Sequence, residues 1–355
     1  MNEFLNERID VSRKQGSNIF QAIPSANNFD FLRLLLAFSV MCNHYSGLTG
    51  QNWYLPISSA MAVHGFFVIS GFLIMRSFYR SHSLKDYFQK RARRIMPAYI
   101  LVVLLCAFGL VFLSDLLAGQ YFSSPVFFKY LAANLSFLNF IQPSLPGVFT
   151  ENPEMTAVNG SLWTIKIELL LYLSVPFIAW LLRRWDKRIV LGGIYLFSII
   201  FNRSMDYLYL TTGNEIYEML ARQVFFQLSF FISGAFLLFY FKIFFKYRFA
   251  LFLIALPAVL FRSNDFVFFL YPMALGIVIF TIAFSLPFLN KAGKYGDISY
   301  GIYLFHFPVI QLFISLNLFN NNNFIAFLPV VFSTLLLAWL SWHLVEKRFL
   351  ERKNK

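Results

Sequence analysis

The chain has 355 residues, of which 58% are hydrophobic and only 13% charged, with 47 Phe and a mean hydropathy of +0.61. A soluble domain carries about 25% charged residues, so this composition excludes a soluble globular chain, a disordered one and a disulfide-stapled secreted module. It points instead to an all-α polytopic integral membrane protein, whose net charge of +13 concerns the bilayer rather than nucleic acid.

A spanning helix needs roughly 17–25 mostly apolar residues. Residues 1–28 are polar and carry no cleavable leader, which predicts a cytoplasmic tail. About ten transmembrane helices are expected next, at about 29–46, 60–79, 96–113, 162–182, 189–202, 223–241, 247–262, 266–288, 298–319 and 324–343. Together they make a membrane domain over 29–345, followed by a basic cytoplasmic tail at 346–355. A long outer loop, about 114–161, holds a short interfacial helix over 130–141, and Asn320–Asn323 form an outer turn. With both termini cytoplasmic, most of the 30 Lys and Arg residues fall on one side. Lys129, Arg203, Arg222 and Arg262 lie opposite, and Arg33, Arg76 and Lys166 lie within spans. Cys42 and Cys106 sit inside apolar runs and read as small buried hydrophobes.

Ionisable side chains inside spans are costly, so each one is a functional candidate. In the first span Arg33 and His44 are eleven residues apart, which returns to within roughly 20° of one helix face about 16 Å further along. Arg33 reads either as a snorkelling partner of Asp30 or as a functional cation, and His44 either as an interfacial histidine or as a base. His64 opens the second span at the outer end, and Ser70-Gly71 forms a helix-packing notch within it. Arg91, Arg93 and Arg94, before Pro97, serve as positive-inside anchors or as phosphate holders at a cytoplasmic mouth. The fourth span begins Ser161-Leu-Trp163-Thr-Ile-Lys166-Ile-Glu168, where Glu168 either neutralises a cation or orients a histidine. In the ninth span His306 is followed by Pro308. There is no metal-ligand spacing, phosphate-cradling Gly loop or Gly-x-Ser-x-Gly elbow, so no metal is expected.

Five stretches in order carry a resemblance: Asn28-Phe-Asp30 to Arg33 with His44; Phe66-Phe-Val-Ile-Ser70-Gly-Phe-Leu-Ile74; Arg91-Ala-Arg-Arg94-Ile-Met-Pro-Ala-Tyr99; Ser161-Leu-Trp163-Thr to Glu168; and Ile298-Ser-Tyr-Gly-Ile-Tyr303-Leu-Phe-His306. Val345-Glu346 fits a closing segment. The chain resembles the acyltransferase type 3 family over about 27–350. The resemblance implies an O-acyltransferase of the bacterial cytoplasmic (inner) membrane that uses acyl-CoA, chiefly acetyl-CoA, as co-substrate, with no permanently bound cofactor. The implied acceptor is a hydroxyl of a glycan or lipid-linked glycan outside the cell. His44 is then the general base, with Arg33 and Glu168 beside it in catalysis; Arg91, Arg94 and Tyr99 bind the donor. Asp30, His64, Ser70, Trp163, Lys166, Tyr303 and His306 support the site or touch substrate. The competing expectations are a glycan exporter or solute transporter, a succinyl-CoA donor, and a lipid or small-metabolite acceptor.

Overall fold

Inside hydrocarbon each backbone amide must find its partner within its own segment, and among the described residues this chain does so with helices alone and no strand. The computed structural model describes residues 23–351, apart from Asn52, 287–288 and 319–322. Most of the expected N-terminal tail, Asn320 to Asn322 of the asparagine turn, and residues 352–355 lie outside the described residues.

The helices are α1 (Phe29–Leu48), α2 (Ser59–Tyr79), α3 (Leu84–Gly109), α4 (Ala118–Ser123), α5 (Pro125–Leu135), α6 (Trp163–Arg184), α7 (Lys187–Thr212), α8 (Glu215–Ala221), α9 (Val224–Phe239), α10 (Phe241–Leu260), α11 (Asp265–Phe268), α12 (Tyr271–Ser285), α13 (Ser299–Ser315), α14 (Asn323–Ser341) and α15 (Lys347–Glu351). Among the described residues helix runs through most of each stretch expected to span, with a break at Phe269 and Leu270 in the eighth. Seven stretches are long and apolar enough to cross a bilayer: Ser59–Tyr79, Leu84–Leu113, Gly160–Arg184, Lys187–Thr212, Glu215–Phe239, Phe241–Leu260 and Ile325–Leu350. The chain is therefore a multi-pass membrane protein. Helices α12 and α13 are apolar but shorter, and α1, with Asp30, Arg33 and His44 among its 20 residues, is not among the seven.

Several boundaries differ from the hydropathy reading, among them these. α3 starts at Leu84 rather than near 96, so Arg91, Arg93 and Arg94 stand on helix and not in a loop. α7 runs to Thr212 instead of stopping at 202, and Gly213 ends it in the left-handed conformation at φ +67°. Its polar interior is paired: Asn202 donates to the Ala221 carbonyl at 3.1 Å, and Arg203 meets Asp265 at 3.0 Å. The loop helix covers 125–135 rather than 130–141. Ser124 caps it by accepting from Val126 N, and Pro125 stands at its first turn, where a missing N–H costs nothing.

By its contacts the chain divides into two units. One comprises residues up to Leu32, Val63–Gln89 and Ile167–Ala292; the other comprises Arg33–Ala62, Lys90–Lys166 and the chain from Gly293 onward.

In the first unit α7 packs on α9, and α12 packs on α9 and α10. Lipid tails are as apolar as leucine, so association here depends on close packing. Gly71 of α2 and Gly234 of α9 provide it. A Cβ on Gly71 would lie 1.8 Å from the Phe231 carbonyl oxygen, and one on Gly234 would lie 2.0 Å from the Val68 oxygen. The packing notch expected at Ser70-Gly71 is thus Gly71's; Ser70 itself is half-buried. Phenylalanines fill the space between helices: Phe72 and Phe280 have ring centroids 4.7 Å apart, Phe29 and Phe280 5.2 Å, and Phe241 and Phe284 5.0 Å. Such pairs contribute about 0.5–1.5 kcal/mol each beyond their burial. Asn28 ties the start of α1 to the end of α12, donating through Nδ2 to the carbonyls of Ile282 (3.1 Å) and Leu286 (2.6 Å). These are the carbonyls a helix end leaves without partners.

In the second unit α13 packs on α14. Its core includes Met41, Tyr45, Leu48, Phe307, Ile310, Phe327 and Val330. Gly301 permits this crossing, since a Cβ there would lie 2.8 Å from the Ala338 backbone. The segment before α6 is strapped onto α13. Gln311 is fully buried and donates to the carbonyls of Met155 (2.6 Å) and Ala157 (3.0 Å), while Asn152 donates to Gln311 Oε1 at 3.0 Å.

Candidate active site

Helix α13 carries Pro308 in its interior. Proline has no N–H, so the carbonyl four residues back, that of Leu304, loses its helical donor. Asn159 supplies the replacement: its Nδ2 donates to the Leu304 oxygen at 2.8 Å. Its Oδ1 accepts from Ser161 N at 3.1 Å and so caps the short 3₁₀ turn Gly160–Leu162 that leads into α6. One side chain thereby fixes the turn against the helix. Gly160 lets the two approach, because a Cβ there would come within 2.7 Å of the Phe307 ring.

This junction sets a polar cluster in apolar surroundings. His306, one residue from the proline's neighbour Phe307, is fully buried. Its Nε2 lies 2.7 Å from His44 Nδ1 and 3.2 Å from Ser161 Oγ, and its Nδ1 lies 3.0 Å from the Ile302 carbonyl oxygen. The two imidazole rings are 17° from parallel with centroids 5.0 Å apart, the spacing of rings joined edge to edge through a straight N–H···N bond. Phe307 stands against His44 at 5.4 Å, nearly perpendicular. One turn before His306, the Tyr303 hydroxyl is 2.7 Å from Thr164 Oγ1, which donates to the Ser161 carbonyl at 3.2 Å. His44 is half-buried and keeps an accessible surface, whereas its partner has none. Two nitrogens at 2.7 Å leave no room for a metal between them, and among the described residues no three His, Cys, Asp or Glu gather as a metal site.

Eleven residues back along the same helix, Arg33 Nη1 lies 3.3 Å from Asp297 Oδ2. Arg94 of α3 binds the same oxygen through Nη2, and its Nη1 is 3.8 Å from Glu346 Oε2. Arg94 also faces the rings of Tyr300 and Trp342, each at 5.8 Å. Asp297 follows Gly296, whose φ of +113° and contact with Trp342, 2.1 Å from the position of a Cβ, exclude a side chain there. Burial alone would raise the Asp297 carboxyl, but Arg94, Arg33 and the Ser299 hydroxyl outweigh it and hold it at about 2. Glu346 reaches this cluster through a five-residue π turn, Trp342–Glu346, and accepts from Ser341 Oγ at 3.0 Å. Wide turns of this kind re-aim a side chain and often occur at functional sites.

The other expected site residues have varied surroundings. Glu168 belongs to the first unit, where the Tyr172 hydroxyl donates to its Oε1. Tyr99, expected at the donor, is buried and anchors α5, donating to the Asn134 carbonyl at 2.8 Å and stacking on Phe137 at 4.4 Å. Arg94 is held by two carboxylates, and Arg91 is half-buried a turn earlier on α3. Lys166 lies 4.6 Å from the Phe140 ring centroid, and Trp163 begins α6. His64 is in the first unit, stacked on Phe230 at 3.9 Å with Tyr271 Oη 3.3 Å away. Asp30 is half-buried in the first turn of α1. The sequence assigns no role to Asp297, Asn159 or Ser161, whose partners lie far along the chain. Asn159 alone left a usable signal, a capping residue before the turn into α6, to be matched with the carbonyl that Pro308 strands.

A family model described as an acyltransferase domain matches residues 27–343. An O-acetyl transferase of Shigella phage Sf6 is 29% identical over 342 residues, covering 93% of this chain and 97% of that protein. Nodulation protein 10 of Rhizobium leguminosarum bv. viciae is 29% identical over 355 residues, covering 90% of this chain and 92% of that protein. No solved structure matches. Since the family match spans residues 27–343, nearly the whole chain, the chain belongs to the acyltransferase type 3 family.

Proposed function

We propose that this chain transfers an acyl group, acetyl foremost, from cytosolic acyl-CoA to a hydroxyl of a glycan on the far side of the bacterial cytoplasmic membrane. His44 acts as general base. It takes the proton of the acceptor hydroxyl while that oxygen attacks the thioester carbonyl; the C–O bond forms, the C–S bond breaks, and the proton returns to the departing thiolate. The observation that carries this reading is the His44–His306 contact at 2.7 Å, with His44 accessible and His306 buried. Imidazole is suited to the task because it accepts and returns a proton near neutral pH. The family and the Shigella phage Sf6 relative, an O-acetyl transferase by name, support acyl transfer as the reaction class.

In this reading both termini are cytoplasmic and α1, α12 and α13 complete ten crossings, so Arg33 lies toward the cytosol and His44 toward the outside. The rise between them along α1, about 16 Å, is spanned by the arm of the donor. Arg91 and its neighbours on α3 receive the donor phosphates, with Arg94 lending positive potential from its cluster. The acyl-CoA is consumed as co-substrate. The test compares surface polysaccharide from cells that carry the wild-type chain, His44→Ala or no protein, scoring base-labile O-acetyl groups by NMR. Acylation by a normally produced His44→Ala variant would overturn the assignment.

A further inference from the structure

The hydrogen-bonding pattern around the two histidines decides where their protons sit. His306 Nδ1 faces the Ile302 carbonyl oxygen at 3.0 Å. That oxygen can only accept, so Nδ1 carries the ring proton and Nε2 presents a lone pair. His44 Nδ1 lies 2.7 Å from that lone pair. Two ring nitrogens at this distance need a hydrogen between them, and His306 Nε2 has none to give. His44 Nδ1 therefore supplies it, and the opposite nitrogen of His44, Nε2, is left bare. We infer that His306 is a positioning residue that locks His44 in the tautomer whose Nε2 receives the acceptor's proton. The inference rests on the reading of His44 as base.

In a Ser-His-Asp triad a buried carboxylate fills this role by holding the imidazole's other N–H. Here a neutral imidazole replaces it. In an apolar setting a lone carboxylate is costly to bury, and the imidazole orients its partner without that cost. When His44 takes up a proton, its Nδ1–H bond to His306 becomes charge-assisted and strengthens. The polar groups that accompany the pair are Ser161, whose Oγ competes for the same lone pair from 3.2 Å, and Tyr303, whose ring is 5.9 Å from His306 and whose hydroxyl is taken by Thr164. Position is secured by the surroundings already described: Asn159 on the Leu304 carbonyl, and Phe307 between Gly160 and His44.

The test uses the purified full-length chain in detergent with ¹⁵N-labelled histidine, at a pH where the rings are neutral. His44 signals are identified by their loss in His44→Ala among five histidines. Wild type should show His44 protonated on Nδ1 and bare on Nε2. His306→Gln, which keeps an acceptor oxygen near the Nε2 position, should retain that tautomer and acylate surface glycan within about tenfold of wild type. His306→Leu, which offers no acceptor, should give mixed tautomers and slow acylation by roughly 10²- to 10⁴-fold, the range seen when an orienting partner is lost. Ser161→Ala should keep the tautomer and cost at most about tenfold. A wild-type His44 protonated on Nε2 would overturn the inference, as would a His306→Leu variant with unchanged tautomer and rate. So would a Ser161→Ala variant that is inactive with the tautomer intact, because the acyl group would then pass through the serine. If His44→Ala acylates normally while the wild-type tautomer is as described, the base assignment falls and the hydrogen-bond reading survives, so the two failures are distinguishable.

Discussion

Truncating Asn159 to alanine removes two hydrogen bonds at once. The Leu304 carbonyl loses its donor at 2.8 Å, and Pro308 prevents the helix from supplying another. A buried acceptor left without a partner costs about 1–3 kcal/mol. Ser161 N loses its cap at 3.1 Å, which costs about 0.5–2 kcal/mol more. The expected destabilisation is about 1.5–5 kcal/mol, which at roughly 2–4 °C per kcal/mol lowers the midpoint of thermal unfolding by on the order of 3–20 °C. The chain provides its own reporter: Cys42 and Cys106 are free and buried, so a thiol-reactive fluorescent dye added to the protein in detergent responds only as the bundle opens. The sharper measurement is the double variant. Pro308→Ala restores an N–H four residues after Leu304, so in the Asn159→Ala background it should recover about 1–2 kcal/mol as the helix reclaims its carbonyl. Strict additivity of the two substitutions would refute the idea that Asn159 and Pro308 act on one atom.

Asp297→Asn leaves Arg33 and Arg94 facing one another without their shared counter-charge, and since all three are largely but not wholly buried, a loss of about 1–3 kcal/mol is expected in the same dye assay. Because the folded-state value is depressed to about 2, this stabilisation is complete above the ordinary carboxylate range and fades as pH falls through 2; the gap between wild type and Asp297→Asn should be constant from pH 5 to 8 and narrow below pH 4. Gly71→Ala and Gly234→Ala each place a methyl group within about 2 Å of a facing backbone oxygen, so both should sharply reduce the folded yield in membranes, while Gly192→Ala, which meets nothing within 4 Å, should not. Gln311→Leu strips the carbonyls of Met155 and Ala157 of their donor, and limited proteolysis should then cut within 152–158 at least tenfold faster than in wild type.

Much of this arrangement was legible because a bilayer makes polar residues conspicuous. Arg33, His44 and His306 stand out from apolar runs, and helical spacing alone puts the first two on one face. What could not be read was pairing between distant segments. Asp297 lies in a connection where an acidic residue costs nothing, and only its nearness to Arg33 and Arg94 gives it meaning. The ring partner of His44 is a histidine 262 positions away, a pairing that no local spacing announces. Charge does not mark the end of a helix here: Arg91 to Arg94 stand on α3, and Asn202 and Arg203 continue α7, where the Asn202 amide donates to the Ala221 carbonyl and Arg203 meets Asp265. For α5 the start lies at Ser124-Pro125, a cap and a first-turn proline that hydrophobicity does not register.

Helix α1 carries Arg33 and His44 on one uninterrupted run of backbone, so their separation behaves as a ruler cut to a single length. Substituting the apolar residues between them changes neither its length nor its phase. Inserting or deleting one residue would turn His44 by about 100° and move it by about 1.5 Å, taking its ring away from His306 while every side chain in the segment kept its chemistry. Tolerance in this stretch should therefore divide by type of change: broad for apolar exchanges at the exposed Leu35 and Phe38, narrow at the buried Ala37, Val40 and Met41, and absent for any change in residue number.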